Sequence, residues 1–357
     1  MPSFRTGAVV RELAAREGLQ RIEVDLGDGP ERAYVLTQLT GAVTPGDRVV
    51  VNTTAVELGL GTGGWHVVHW NLSRETWSEQ GPGHILKARY TSLQTDVGSA
   101  EEHFDPELAT VDSIDGLPVV AAALHSQVPA VAVALRRVAP GARIAYVMTD
   151  GAALPLALSD LVAKLADRGL VDTTITCGHA FGGDYEAVSI YSALAVARYV
   201  AGADVAIVAM GPGIVGTGTR LGFSGIEVGP VLDATAGLGG RPIACLRLSF
   251  ADPRPRHQGV SHHSLTTLRV ACQSRVTVAL PRLGGTQEAT IRADLTEGGI
   301  FDRHDVVVVE PPDVLDELGP DGLDVTSMGR SVAEDPALFL AAAAAGALAA
   351  AMPAPRA

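Results

Sequence analysis

Apolar and polar positions follow two different rhythms along this chain, and the rhythm changes near Leu117. Before it, "RIEVDL" (21–26), "RAYVLTQL" (32–39), "DRVVVNTT" (47–54) and "WHVVHWNL" (65–72) are short β-rich runs separated by "GDG", "TPG" and "GTGG". Such glycine and proline clusters turn the chain, and no helical period lies between them. Residues 1–94 are therefore expected to form a small β-barrel or sandwich. The acidic stretch "TDVGSAEEHFDPELATVDSIDG" (95–116) reads as a connector.

Beyond Leu117, apolar runs of strand length alternate with helical segments. The strands are "LPVVAAAL" (117–124), "RIAYVMT" (143–149), "DTTITC" (172–177), "DVAIVAM" (204–210) and "PIACLRLSF" (242–250), then "RVTVAL" (275–280) and "DVVVVE" (305–310). Continuous apolar strands joined by amphipathic helices indicate a mostly parallel sheet covered on both faces. The predicted class is α/β: a β-rich domain over 1–94, then an α/β domain over 117–357. That domain closes with an Ala-rich helix, "ALFLAAAAAGALAAAM" (337–352). This run is shorter than the roughly 20 apolar residues that span a bilayer. Ser331 and Glu334 stand in capping-box spacing before it, so a buried helix is expected, with no membrane association.

Composition narrows the function classes. At 357 residues the chain suits two domains, and 47% hydrophobic against 19% charged residues is the make-up of a folded protein. A net charge of −13, with no dense basic run, argues against a nucleic-acid partner. Cys177, Cys245 and Cys272 show no CxxC spacing, and "MPSFRTGAVV" has no apolar signal run. Reduced thiols in a cytoplasmic protein are expected. A homo-oligomer is compatible with all of this.

Candidate chemistry follows from position. In an open parallel sheet the strands' carboxyl ends share one edge, and ligands bind there. After successive strands come His125, Asp150, His179 in "GHAFGGD", the loop "GPGIVGTGTRLGFSG" (211–225), and "ADPRPRHQGVSHHS" (251–264). The opposite edge receives "APGAR", "DRGLVD", "VAGAD" and "LGGR", turns without histidine. His125, Asp150 and His179 are thus the candidate catalytic residues, as acid–base groups or metal ligands. A lone histidine at a strand end is often structural, and Asp150 could cap a helix. For Asp184 the helix cap is the preferred role.

Gly211, Gly213 and Gly216 have G-x-G-x-x-G spacing after a strand, but the added glycines delay the helix and Asp233 falls inside it, so a dinucleotide fingerprint is a poor match. The loop's exposed N–H groups, with Thr217 and Arg220, suit an anionic group instead. His257, His262 and His263 lack HExxH spacing, and in extended chain only one of the adjacent pair, here taken as His262 toward the substrate, would face a given site. A divalent metal held by His125, His179, His257 and His263 is the alternative to unmetallated acid–base chemistry.

The stretches "NTTAVELGLGTGG", "GHILKARYT", "YVMTDGAALPLALS", "GHAFGGD", "MGPGIVGTGTRLGFSG" and "HQGVSHH" together resemble a bacterial family of unknown function, DUF3866. The likeness covers nearly the whole chain. It implies a bacterial protein and brings no activity, cofactor or catalytic residue with it. The residues themselves favour an enzyme of hydrolase or lyase type on a small polar or anionic molecule. A non-catalytic ligand-binding or regulatory protein is the alternative, as is a nucleotide-cofactor enzyme using the 211–218 glycines.

Overall fold

The computed structural model describes residues 2–60, 62–79 and 81–353. The chain divides into two compact units, Met1–Gly98 and Ser99–Ala357.

The first unit is a closed five-stranded barrel. Its strands are β1 (Phe4–Arg16), β2 (Leu19–Asp25), β3 (Pro30–Leu36), β4 (Arg48–Asn52) and β5 (Trp65–Asn71), in the order β1-β2-β3-β5-β4. Alternate residues Ile22, Val24, Ala33, Val35, Val49 and Val51 fill the interior. The longest strand, β1, escapes the sequence pattern because "VRELAAR" favours a helix and most of its side chains are exposed. Pairing overrides that preference: β1 meets β4 along Phe4–Ala8 and β2 along Ala8–Arg16. Irregularities at Val9/Arg11 and Glu12/Ala14 bend the strand between its two partners.

The second unit is an eight-stranded, wholly parallel sheet. In chain order its strands are β6 (Pro118–Ala121), β7 (Ile144–Thr149), β8 (Thr173–Cys177), β9 (Tyr185–Ala187), β10 (Val205–Met210), β11 (Arg241–Cys245), β12 (Thr277–Pro281) and β13 (Asp305–Val309). Their order across the sheet is β9-β8-β7-β10-β6-β11-β12-β13. Much of the acidic stretch expected as a connector lies in this unit, where Ile114 is fully buried and Asp115 accepts a bond from the Tyr199 hydroxyl.

One face of the sheet is covered by α1 (Val128–Val138), α2 (Asp160–Asp167) and the C-terminal helix, α7 (Pro336–Ala350). The other carries α3 (Ile190–Ala195), α4 (Val228–Gly237) and α6 (Gly285–Glu297). Helix α7 lies so close to α1 that a Cβ on Gly346 would overlap the Val131 carbonyl. No helix among the described residues is long and apolar enough to cross a membrane.

Two capping expectations are corrected. Ser331 does pair with Glu334, its N–H and hydroxyl each donating to the carboxylate at 2.7 Å. That pair closes a turn before α7, whose N-cap is Asp335 with Pro336 first in the helix. Asp184 caps no helix. It accepts the Thr174 N–H (2.8 Å) and hydroxyl (2.9 Å), pinning edge strand β9 to β8. Helix α3 begins later, behind the Ser189 cap.

Candidate functional site

Strand order sets where a site can form. From β6 the chain crosses through α1 toward β7, whereas from β10 it crosses through α4 the other way, to β11. The neighbours β10 and β6 thus flank the reversal point, where a crevice opens outside the strands' carboxyl ends.

His125 stands at that reversal, but both sides of its ring are occupied. Nδ1 lies 3.2 Å from the Met210 carbonyl and from the Tyr146 hydroxyl, and Nε2 lies 2.7 Å from Ser159 Oγ. A carbonyl only accepts, so Nδ1 carries the proton and Nε2 accepts from Ser159. Ser159 in turn caps α2 by accepting the Val162 N–H at 3.0 Å. Burial pushes the ring's pKa down to about 4. This is a neutral imidazole tying β6, β7, β10 and α2 together, a structural role in place of the expected reacting one.

The corner "GHAFGGD" joins Asp150 and His179 through the backbone, the His179 N–H donating to Asp150 Oδ2 at 2.9 Å. Gly178 is required there: its φ is +66°, and a Cβ would overlap the Asp150 carboxylate. Beside Asp150 lies a residue that sequence reasoning missed. Glu227 accepts a short bond from the Thr149 hydroxyl, and its carboxyl would meet any side chain placed at Gly151. Burial, assisted by the Asp150 charge, pushes its pKa up to about 7. Nothing in the sequence marks Glu227 beyond its place just after the glycine-rich loop.

That loop folds back on itself. Gly216 bridges to Phe223, the Thr217 N–H donates to the Gly222 carbonyl at 2.8 Å, and the Thr217 and Thr219 hydroxyls meet at 2.8 Å. Gly213, Gly216, Thr217 and Arg220 are exposed, whereas Gly211 is buried under the Ala153 carbonyl. Helix α4 opens only at Val228, so the glycines do not form a dinucleotide turn.

The loop's far side rests on the histidine turn. Phe223 stacks flat on His263 (3.8 Å between centroids, 2° between planes), and a Cβ on Gly216 would sit 3.6 Å from His263 Nε2. His257, His262 and His263 cluster with centroids 4.4–5.1 Å apart. Adjacent residues were expected to face opposite ways, as in extended chain. Instead the chain enters α5 (His262–Thr266), where neighbours are rotated by about 100° and both rings reach one place. Ser261 organises the turn: its Oγ accepts the His263 N–H at 3.2 Å and lies 2.7 Å from His257 Nδ1.

Behind the imidazoles lies a buried ionic network. Arg247 contacts His263 Nδ1 at 3.1 Å and Asp252 at 3.9 Å. Asp252, with 0% exposure, accepts two bonds from the Arg254 side chain (2.9 and 2.7 Å), one from its backbone N–H (3.0 Å) and one from Arg330 (3.2 Å). Arg330 also bonds Asp335, which accepts from the Ser249 hydroxyl. Burial first, then the Arg247 charge, push His257 and His263 down to about 3, and His262 is lowered by burial and by Arg256. All three rings are neutral at pH 7. Arg247 itself is pushed down to about 10 by burial. It too was missed, although a lone arginine inside the apolar run "PIACLRLSF" was a legible signal.

Residues 32–346 match the model of one family, "Protein of unknown function (DUF3866)". The chain belongs to the DUF3866 family. A comparison with the curated proteins finds no match.

In this DUF3866 chain His125 and His179 do not join the histidine turn as metal ligands. Among the described residues, His257, His262 and His263 are the one group of three with ligand atoms close together, all within 4.8 Å of one another. These three could hold a metal ion, but the contacts around them disfavour one as they stand. Ligand nitrogens around zinc at about 2.05 Å are only about 3.4 Å apart in tetrahedral geometry. Moreover, a guanidinium only donates, so Arg247 makes His263 Nδ1 an acceptor and leaves the ring proton on Nε2. Ligation through Nε2 would cost that proton or the Arg247 bond. The surrounding arginines also repel a dication.

Proposed function

We propose that this chain is an enzyme of hydrolase or lyase type, working by acid–base chemistry on a small anionic substrate at the carboxyl edge of the parallel sheet. The supporting observation is the histidine turn: three imidazoles cluster, His262 and His263 against Phe223, with Arg247 behind His263. An anion placed there would offset the guanidinium charges that, after burial, hold the imidazoles' proton affinity down. Substrate binding would itself raise a histidine toward the working range of a general base. His262 is the favoured acceptor, because its Nε2 is buried without a hydrogen-bond partner among the described residues. Glu227, pushed up to about 7, is a second proton carrier on the same edge, beside Asp150 and His179. Three buried free cysteines suit a reducing, cytoplasmic setting.

A turnover screen over phosphomonoesters, carboxylic esters and hydroxy acids tests this reading with the wild type and His262→Ala. The expected result is activity on one anionic class, reduced roughly 100-fold or more in the variant at unchanged fold. Anion binding without turnover anywhere in the screen would move the chain to the non-catalytic ligand-binding reading.

A further inference from the structure

The anion can be narrowed further, on the premise that the histidine turn is the substrate site. His263 is fixed in tautomer and orientation by one contact. Arg247 can only donate, so the acceptor at 3.1 Å is an unprotonated Nδ1, and a flipped ring would set a C–H against the guanidinium. The proton is therefore on Nε2, on the ring edge that faces Gly216, where a Cβ would come within 3.6 Å of it. Phe223, stacked on the ring, stops it from rotating away. His262 Nε2 is a second buried polar atom of the cluster, without a hydrogen-bond partner among the described residues.

Charge indicates what those atoms await. Arg247, Arg254 and Arg256 bring three positive charges to bear on the rings, against one negative charge from Asp252, while Arg330 is shared with Asp335 and Glu334. The remainder, three minus one, is two positive charges beside the rings. A carboxylate would balance one of them. A phosphoryl group, close to a dianion at pH 7, balances both.

We propose that the histidine turn seats a phosphoryl dianion, with His263 donating from Nε2 to one of its oxygens and Arg247 serving as the positioning residue that sets the His263 tautomer. The His262 ring and the Gly216 backbone border the seat.

Titration calorimetry with inorganic phosphate, phenyl phosphate and acetate, together with nitrogen-15 spectra of the histidine rings, tests the seat. Phosphate is expected to bind at least ten-fold tighter than acetate, with His263 in the Nε2–H form. Equal binding of phenyl phosphate identifies a phosphomonoester as the source, whereas its exclusion confines the seat to the free ion; both support the seat. Arg247→Met should weaken phosphate about 10- to 100-fold, the value of one charged hydrogen bond, and release the His263 tautomer into a mixture. Should that variant fail to fold, His263→Gln, which keeps an N–H near the Nε2 position, should retain phosphate where His263→Leu loses it. Acetate binding as tightly as phosphate, or a His263 proton on Nδ1, overturns the proposal. Phosphate binding without turnover leaves the seat standing and removes the enzyme reading. Turnover of a carboxylic ester without phosphate binding does the reverse.

Discussion

Replacing Asp252 by Asn removes the charge around which the histidine turn is built. The carboxylate is wholly buried and takes bonds from Arg254 and Arg330, with Arg247 at 3.9 Å. Breaking a buried pair by neutralising one partner costs about 3–5 kcal/mol, because the other charge is left uncompensated. Here the Arg254 side chain is 41% exposed and recovers some hydration, whereas Arg330 and Arg247 recover little. The lower end, about 3 kcal/mol, is therefore expected. At about 2–4 °C per kcal/mol for a unit of this size, the melting temperature should fall by roughly 6–12 °C. The Arg254 bonds hold the Asp252 carboxyl well below the usual carboxylate range. A depressed acid contributes stability that is fully present above its unfolded value, about pH 4, and lost as pH falls below it. Calorimetric scans of both proteins between pH 7 and pH 3 provide the measurement. The gap should be widest at pH 7 and narrow on acidification. A fall of less than about 2 °C at pH 7, or a gap that does not change with pH, would refute the view that charge organises this network.

Three further outcomes are expected. Glu227→Gln should be more stable than wild type at pH 8 by up to about 3 kcal/mol and nearly equal to it at pH 4.5, because a carboxyl raised to about 7 contributes stability below its unfolded value and loses it as pH rises through 7; equal stability at pH 8 in urea unfolding would show that Glu227 is not held protonated. His125 is depressed to about 4, so its contribution is complete above about pH 6.5 and lost as pH falls toward 4; His125→Gln should remove about 3 kcal/mol of the wild type's acid sensitivity over that interval, and an unchanged pH dependence counts against the neutral clamp. Gly178→Ala must hold φ near +66° and displace the Asp150 carboxylate; a cost of about 1–2 kcal/mol, a fall of roughly 2–8 °C in melting temperature, is expected, and an unaltered melting curve would mean that the corner relaxes freely.

Local pattern alone determined a good deal of this protein. Seven of the parallel strands were legible as β-branched or apolar runs of the right length, and the central ones are apolar throughout because they are buried on both faces. The division into β and α/β parts and the placing of "GHAFGGD", the 211–225 loop and the 251–264 loop after strands followed from the same rhythm. Tertiary structure decided the rest. β1 is a strand only because two partners pair with it, and Asp184 is an anchor for β9 only because Thr174 lies within reach. The roles of the titratable groups were least legible, because they depend on what stands opposite each ring in space. His125 meets a carbonyl and a serine and becomes structural, whereas His263 meets Arg247 and becomes a donor. Glu227 and Arg247 owe their shifted proton affinities first to burial, and for Glu227 also to Asp150, far away in sequence. A sequence carries its hydrophobic period residue by residue, but a pKa or a tautomer belongs to an environment that exists only once the chain has folded.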